Sequence, residues 1–121
     1  MRRLTSEETK VAYRFLYLDN AIDVLESELK GLGDGSFKIK EAYIDKVTKA
    51  IYKGQLERQE LKQEMQRLEM KVEHDETTVN TISFVFFAGK RCDCDVYYRP
   101  RLVYQIRRVI YELLDLPIQE A

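Results

Sequence analysis

Two apolar stripes at heptad spacing run through the first seventy or so residues, and they constrain the fold more than any other feature of the chain. Val11, Phe15, Leu18, Ile22, Leu25, Leu29 and Leu32 recur in alternating steps of four and three, a period that gathers them on one face of an α-helix. Ala12, Leu16 and Val24 widen that face, so this helix is expected to pack on more than one neighbour. Thr5 and Glu8 have the spacing of a capping box, in which each side chain satisfies a backbone N–H that the first turn leaves free. Gly31 and Gly33 can end a helix, and Gly33-Asp34-Gly35-Ser36 has the chemistry of a turn.

The second stripe takes in Ile44, Val47, Ile51, Gly54, Arg58, Leu61, Met65, Leu68 and Val72. Gly54 and Arg58 interrupt it, which leaves one helix of roughly 30 residues or two helices broken near Lys53-Gly54-Gln55. A glycine inside a helix costs only about 1 kcal/mol relative to alanine, and Gln55–Glu73 is dense in good helix formers. The continuous helix is therefore expected. At 1.5 Å per residue it would span roughly 45–50 Å and outrun its partner in an antiparallel pair. The overhang, about Leu61 to Val72, would need cover from another element or another molecule.

After the acidic turn Glu73-His74-Asp75-Glu76 the period changes. Thr77 to Phe87 is rich in β-branched and aromatic residues, as strands are. Gly89-Lys90 suits the two central positions of a type II′ hairpin turn, with a return strand from Arg91 to Tyr98. That register sets Phe87 against Cys92, Val85 against Cys94 and Ser83 against Val96 on one side, which is the expected core face. The other side sets Phe86 against Asp93, Phe84 against Asp95 and Ile82 against Tyr97; it keeps the two acids in water but leaves Phe84 and Phe86 in need of cover from a helix or a second copy. Arg99-Pro100 then opens a last helix, with proline where a missing N–H costs nothing. Its apolar face is Leu102, Val103, Ile106, Val109, Ile110, Leu113, Leu114 and Leu116, and Pro117 should end it. The expected fold is a single α+β domain over residues 1–121, mostly helical: a helical hairpin with a long second helix, then a β-hairpin and a C-terminal helix.

Composition narrows the classes of function. Apolar residues are 45% of the chain and charged residues 34%, which excludes a disordered chain and a membrane-embedded one. Lys and Arg number 20 against 21 Asp and Glu, a balance that argues against a mainly electrostatic nucleic-acid binder. The opening residues are basic and then acidic, with no apolar run behind them, so no signal peptide is expected. With that, Cys92 and Cys94 read as reduced thiols in a cytoplasmic protein.

The chemistry-bearing residues are few. Cys92 and Cys94, one residue apart, are expected to be small buried hydrophobes. With His74 they are the only soft groups a metal could use, too few for a closed zinc site, so neither metal nor other cofactor is expected. His74 is expected to be a solvated residue at the helix end. No phosphate loop, Glu-x-x-His pair or nucleophile–histidine motif occurs. The stretch Gly89–Arg108 carries six basic residues against two acids, and Tyr97, Tyr98, Tyr104 and Tyr111 interleave with them. Lys90, Arg91, Arg99, Arg101 and Arg107 are the candidate nucleic-acid contacts.

These features point to a small regulatory or adaptor protein without catalytic activity. It would act by protein–protein contact and associate with itself as a homodimer through the stripe residues Ile51, Gly54, Leu61, Met65, Leu68 and Val72, with no membrane partner. The alternative is an accessory factor that touches nucleic acid with the basic hairpin tip and the start of the last helix.

Overall fold

A computed structural model of the protein describes residues 4–34 and 40–118. The elements run α1 (Ser6–Asp34), α2 (Lys40–Arg67), β1 (Met70–Thr77), β2 (Thr81–Ala88), β3 (Arg91–Tyr98) and α3 (Arg99–Leu113). The class is α+β and mostly helical, as the sequence suggests.

The capping box forms as its spacing requires. Thr5 N–H donates to Glu8 Oε1 (2.8 Å) and Glu8 N–H to Thr5 Oγ1 (3.1 Å). The helix then runs through Gly31 and Gly33 to Asp34, and the rest of the expected turn, Gly35 and Ser36, lies outside the described residues. α2 is continuous through Gly54. It lies antiparallel to α1, with Glu7 paired to Arg67, Arg14 to Glu57 and Asp19 to Arg58.

Gly54 is where the helices come closest. A Cβ there would stand 3.0 Å from Ile22 Cγ1 and 3.2 Å from Leu113 Cδ1, so the missing side chain lets α1, α2 and α3 meet. Arg58, the other interruption of the stripe, leaves the core to bond Asp19 at 2.9 Å.

The second helix ends earlier than the stripe implies. It stops at Arg67, and Glu69 takes a left-handed backbone (φ 55°). Met70–Thr77 is then a strand rather than helix and turn. Met70 and Val72 alternate with Lys71 and Glu73, and pairing with Ala88 and Phe86 buries them better than a further helical turn would. α1 and α2, at 29 and 28 residues, therefore match in length and leave no overhang.

The expected β-hairpin is thus two strands of an antiparallel sheet ordered β1-β2-β3. The β2–β3 register is the one the turn predicts, with Phe87 opposite Cys92 and Phe84 opposite Asp95. Gly89 supplies the positive φ (62°). Between β1 and β2 the register slips by a bulge at Asp75. Buried Ser83 staples it: its hydroxyl accepts Glu76 N–H (3.1 Å) and donates towards Glu76 O and Asp75.

The sheet faces are the reverse of the sequence expectation. Phe84, Phe86, Ala88 and Tyr97 are buried, while Cys92, Cys94 and Val96 are exposed. The third strand supplies the reason. β1 adds Met70 and Val72 to the Phe84/Phe86 side, and Lys71 and Glu73 to the other. The acids on the buried side stay at its rim, where Tyr13 Oη donates to Asp95 Oδ2 at 2.8 Å.

Two buried clusters make the core. One holds Ala12, Leu16, Met65, Met70, Phe84, Phe86 and Tyr97, where α1 lies on the sheet. The other holds Leu18, Ile22, Leu25, Val47, Ile51, Val109 and Leu113, among the three helices. Tyr17 and Ile106 touch both clusters and join them.

Candidate functional site

The stripe on α2 is consumed within the chain. Ile51, Gly54 and Met65 are buried in the core. Leu61 packs against the three-helix cluster, and Leu68 and Val72 pack against the sheet cluster. Val72 belongs to β1 rather than to the helix. This face is therefore not an open seam for a second molecule, and the overhang that argued for a helical dimer does not exist.

The basic residues are brought together only in part. Arg91, at the tip of the hairpin, forks onto Glu8: its two terminal nitrogens donate to Oε1 and Oε2 at 2.8 and 2.7 Å. The Glu8 side chain is almost wholly buried, and the Arg91 hydrogen bond, with that from Thr5 N–H, pulls its carboxyl down to about 2 from an ordinary 4.5. Arg99 donates to Thr78 O through two nitrogens, at 3.3 and 3.2 Å. Arg107 donates to Tyr111 Oη at 3.1 Å and lies over its ring. Lys90 and Arg101 are exposed. β3, eight residues long, separates the tip from the start of α3 by roughly 24 Å at about 3.4 Å per residue. The five basic residues consequently form no single patch.

On the flank of α3 the arrangement is tighter. Arg108 stacks over Tyr104 (5.8 Å) and Arg107 over Tyr111 (5.4 Å). With Ile118 these four side chains line a small hollow of about 40 Å³. Glu112 pairs with Arg14 at 3.0 Å and ties α3 to α1.

The soft groups separate as well. Cys92 and Cys94 stand exposed on the outer face of β3 rather than packed in the core. His74 lies in β1 instead of a turn, its Nε2 sharing a hydrogen bond with Thr77 Oγ1 (2.5 Å) and its ring edge-on to Phe84. Among the described residues no group of three or more His, Cys, Asp or Glu side chains is placed to hold a metal ion. No helix among them is long and apolar enough to cross a membrane.

The feature that sequence reading missed is a set of exposed apolar side chains near the junction of β3 and α3. Val79 (90% exposed), Val96 (60%), Tyr98 (60%) and Val103 (61%) are among the most exposed large apolar side chains described. They come from the β1–β2 turn, the end of β3 and the second turn of α3. Backbone pairing holds those segments together: Arg99 N–H donates to Asn80 O at 2.9 Å and Thr81 pairs with Tyr98. The Arg99 side chain clamps Thr78 from the other direction. A β-branched residue in the turn (Val79) was the available signal in the sequence, whereas Val103, expected on the apolar face of α3, is exposed.

The geometry so far defines a small α+β protein with a closed helical core and its irregular features on one sheet face and one helix flank. A family model described as YhjD protein matches residues 3–117, and the chain belongs to that family. No curated protein and no solved structure matches the chain.

Proposed function

We propose that the protein is a non-enzymatic interaction module, regulatory or adaptor in role, whose working surface is the apolar corner formed by Val79, Val96, Tyr98 and Val103. The observation that carries the reading is the exposure of these four side chains on segments that hydrogen bonds hold in place. Apolar side chains left in water on a braced frame are a cost to solubility, and surfaces of this kind commonly mark protein contacts. Arg99 and Arg101 border the corner and supply the polar rim such contacts use.

Site-specific photo-crosslinking tests the reading. A photoreactive residue at Val103 is expected to capture one discrete protein, a second copy of the chain or another, whereas the same residue at exposed Leu56 on α2 should not. Equal, diffuse labelling from both positions would reject the corner as a docking surface. Light scattering on the purified chain, and on Val96→Asp/Val103→Asp, tells a homodimer from a heteromeric contact.

A second reading, a nucleic-acid accessory factor, is favoured by the Arg108–Tyr104 and Arg107–Tyr111 stacks. Stacked arginine and tyrosine can meet both phosphates and bases. In this form the contact is confined to α3 and leaves out Lys90 and Arg91 at the distant tip. Affinity for single-stranded DNA that falls steeply with salt, and falls again in Arg107→Gln/Arg108→Gln, would support it. No binding at low salt would remove it.

A further inference from the structure

The outer face of the sheet carries a second feature, independent of the apolar corner. Cys92 and Cys94 lie two apart on β3, and both thiols point to the solvent side. Two residues of strand separate their Cβ atoms by about 6.7 Å, whereas a disulfide needs a Cβ separation of about 3.5–4.5 Å. The pair therefore cannot close on itself while β3 stays in the sheet. A single bridging ion has the reach that a disulfide lacks. Metal–thiolate bonds of about 2.3 Å let one ion join sulfurs about 4.5 Å apart, and one rotation about each χ1 closes the remaining gap.

The surroundings fit a soft ion rather than a hard one. Cys92 is directly opposite Phe87, and Cys94 opposite Val85. Asp93 and Asp95, the oxygen ligands nearest in sequence, belong to the opposite face. The Asp93 carboxylate also accepts Cys94 N–H at 3.0 Å. Lys71 lies 5.2 Å from the Phe87 ring centroid and pairs with Glu73 at 2.8 Å, so the row beside the thiols carries balanced charge. Two thiolates with no imidazole on their face, whose nearest carboxylate there in the cross-strand row, Glu73 two strands away, is already paired with Lys71, suit Cu(I), which thiolates select and which two sulfurs can satisfy. Zinc would need further ligands.

We propose that Cys92 and Cys94 form a two-thiolate site for Cu(I). On binding, two S–H bonds are broken and two Cu–S bonds form. Both protons pass to solvent, and the metal keeps its oxidation state.

The test is anaerobic titration of the reduced, full-length chain with Cu(I) held by bicinchoninate, whose colour reports the copper it retains. One equivalent per chain is expected to move to the protein, with X-ray absorption showing two sulfur neighbours. Cys92→Ser and Cys94→Ser should each lower the affinity by roughly 10²–10⁴-fold, the gain that tethering a second ligand brings. The deciding variant is Cys94→Ser/Val96→Cys, which keeps two exposed thiols but doubles their spacing. It should be as weak as the single variants. Unchanged circular dichroism shows that each variant is folded. Wild-type affinity in Cys94→Ser/Val96→Cys, one copper per two chains, or no transfer from bicinchoninate would each overturn the proposal.

Discussion

Glu8 and Arg91 are 83 positions apart, and both carboxylate oxygens of the one accept a hydrogen bond from the other, at 2.8 and 2.7 Å. The same Glu8 closes the capping box on Thr5. One carboxylate thus starts α1 and anchors the hairpin tip to it. Glu8→Gln keeps the shape but loses the charge, and should cost about 1.5–3 kcal/mol, the range for a hydrogen bond to a charged group. Thr5→Ala removes the cap alone and should cost about 1 kcal/mol. Urea denaturation of the two variants checks the order.

The same pair sets an acid limit. The folded carboxyl of Glu8 sits near 2, below its ordinary 4.5, so folding favours the ionised form. Its stabilisation is fully present above about pH 4.5 and is lost as pH falls towards 2. Urea midpoints measured from pH 6 down to 2 should fall through that window. The fall should be visibly smaller in Glu8→Gln.

Alkaline pH should act through two tyrosines. Burial and the hydrogen bond to Asp95 raise the phenol of Tyr13 well above its ordinary 10. Burial and the 2.7 Å contact with Tyr17 do the same for Tyr97. Folding thus favours the neutral phenols, and their contribution is complete below pH 10 and is lost as pH rises beyond it. Absorbance titration should show these two ionising only together with unfolding. Tyr13→Phe should also destabilise the fold, by about 1 kcal/mol, because Asp95 loses its donor.

At Gly54 the three helices leave no room for a side chain. Gly54→Val brings a branched group against Ile22 and Leu113 and should cost about 1–3 kcal/mol by overpacking. Thermal melting of this variant checks it, with Gly31→Ala as a control. A Cβ at Gly31 meets nothing within 4 Å, and that substitution should be neutral or stabilising.

The outward thiols make a further difference measurable. Cys92 and Cys94 should both react with a thiol reagent at once in the folded protein, without denaturant. Cys92→Ser/Cys94→Ser should melt within about 0.5 kcal/mol of the wild type, as exposed substitutions do. Slow, unfolding-limited labelling would return the pair to the core.

Much of this fold is written in short-range patterns. The capping box, the apolar face of α1, the unbroken α2 at Gly54, the Gly89-Lys90 register and the start of α3 at Arg99-Pro100 each depend on residues a few positions apart. Steric and hydrogen-bonding rules decide such features locally, so they were legible. The segment 68–77 was harder because Leu68 and Val72 fit a helical period while Met70 and Val72 fit a strand. Only the free edge of β2, offering partners for Met70 and Val72, decides between them.

By itself, then, the sequence determined the three helices, the β2–β3 hairpin, their order and the hairpin register, because backbone geometry and local side-chain chemistry specify them. Tertiary structure alone decided which sheet face is core, that the α2 stripe is consumed internally, that Arg91 belongs to Glu8, and that both thiols face outward. Those outcomes turn on the free energy of burial and ion pairing between groups far apart in the chain. Such energies depend on which surfaces meet, and no local period encodes that.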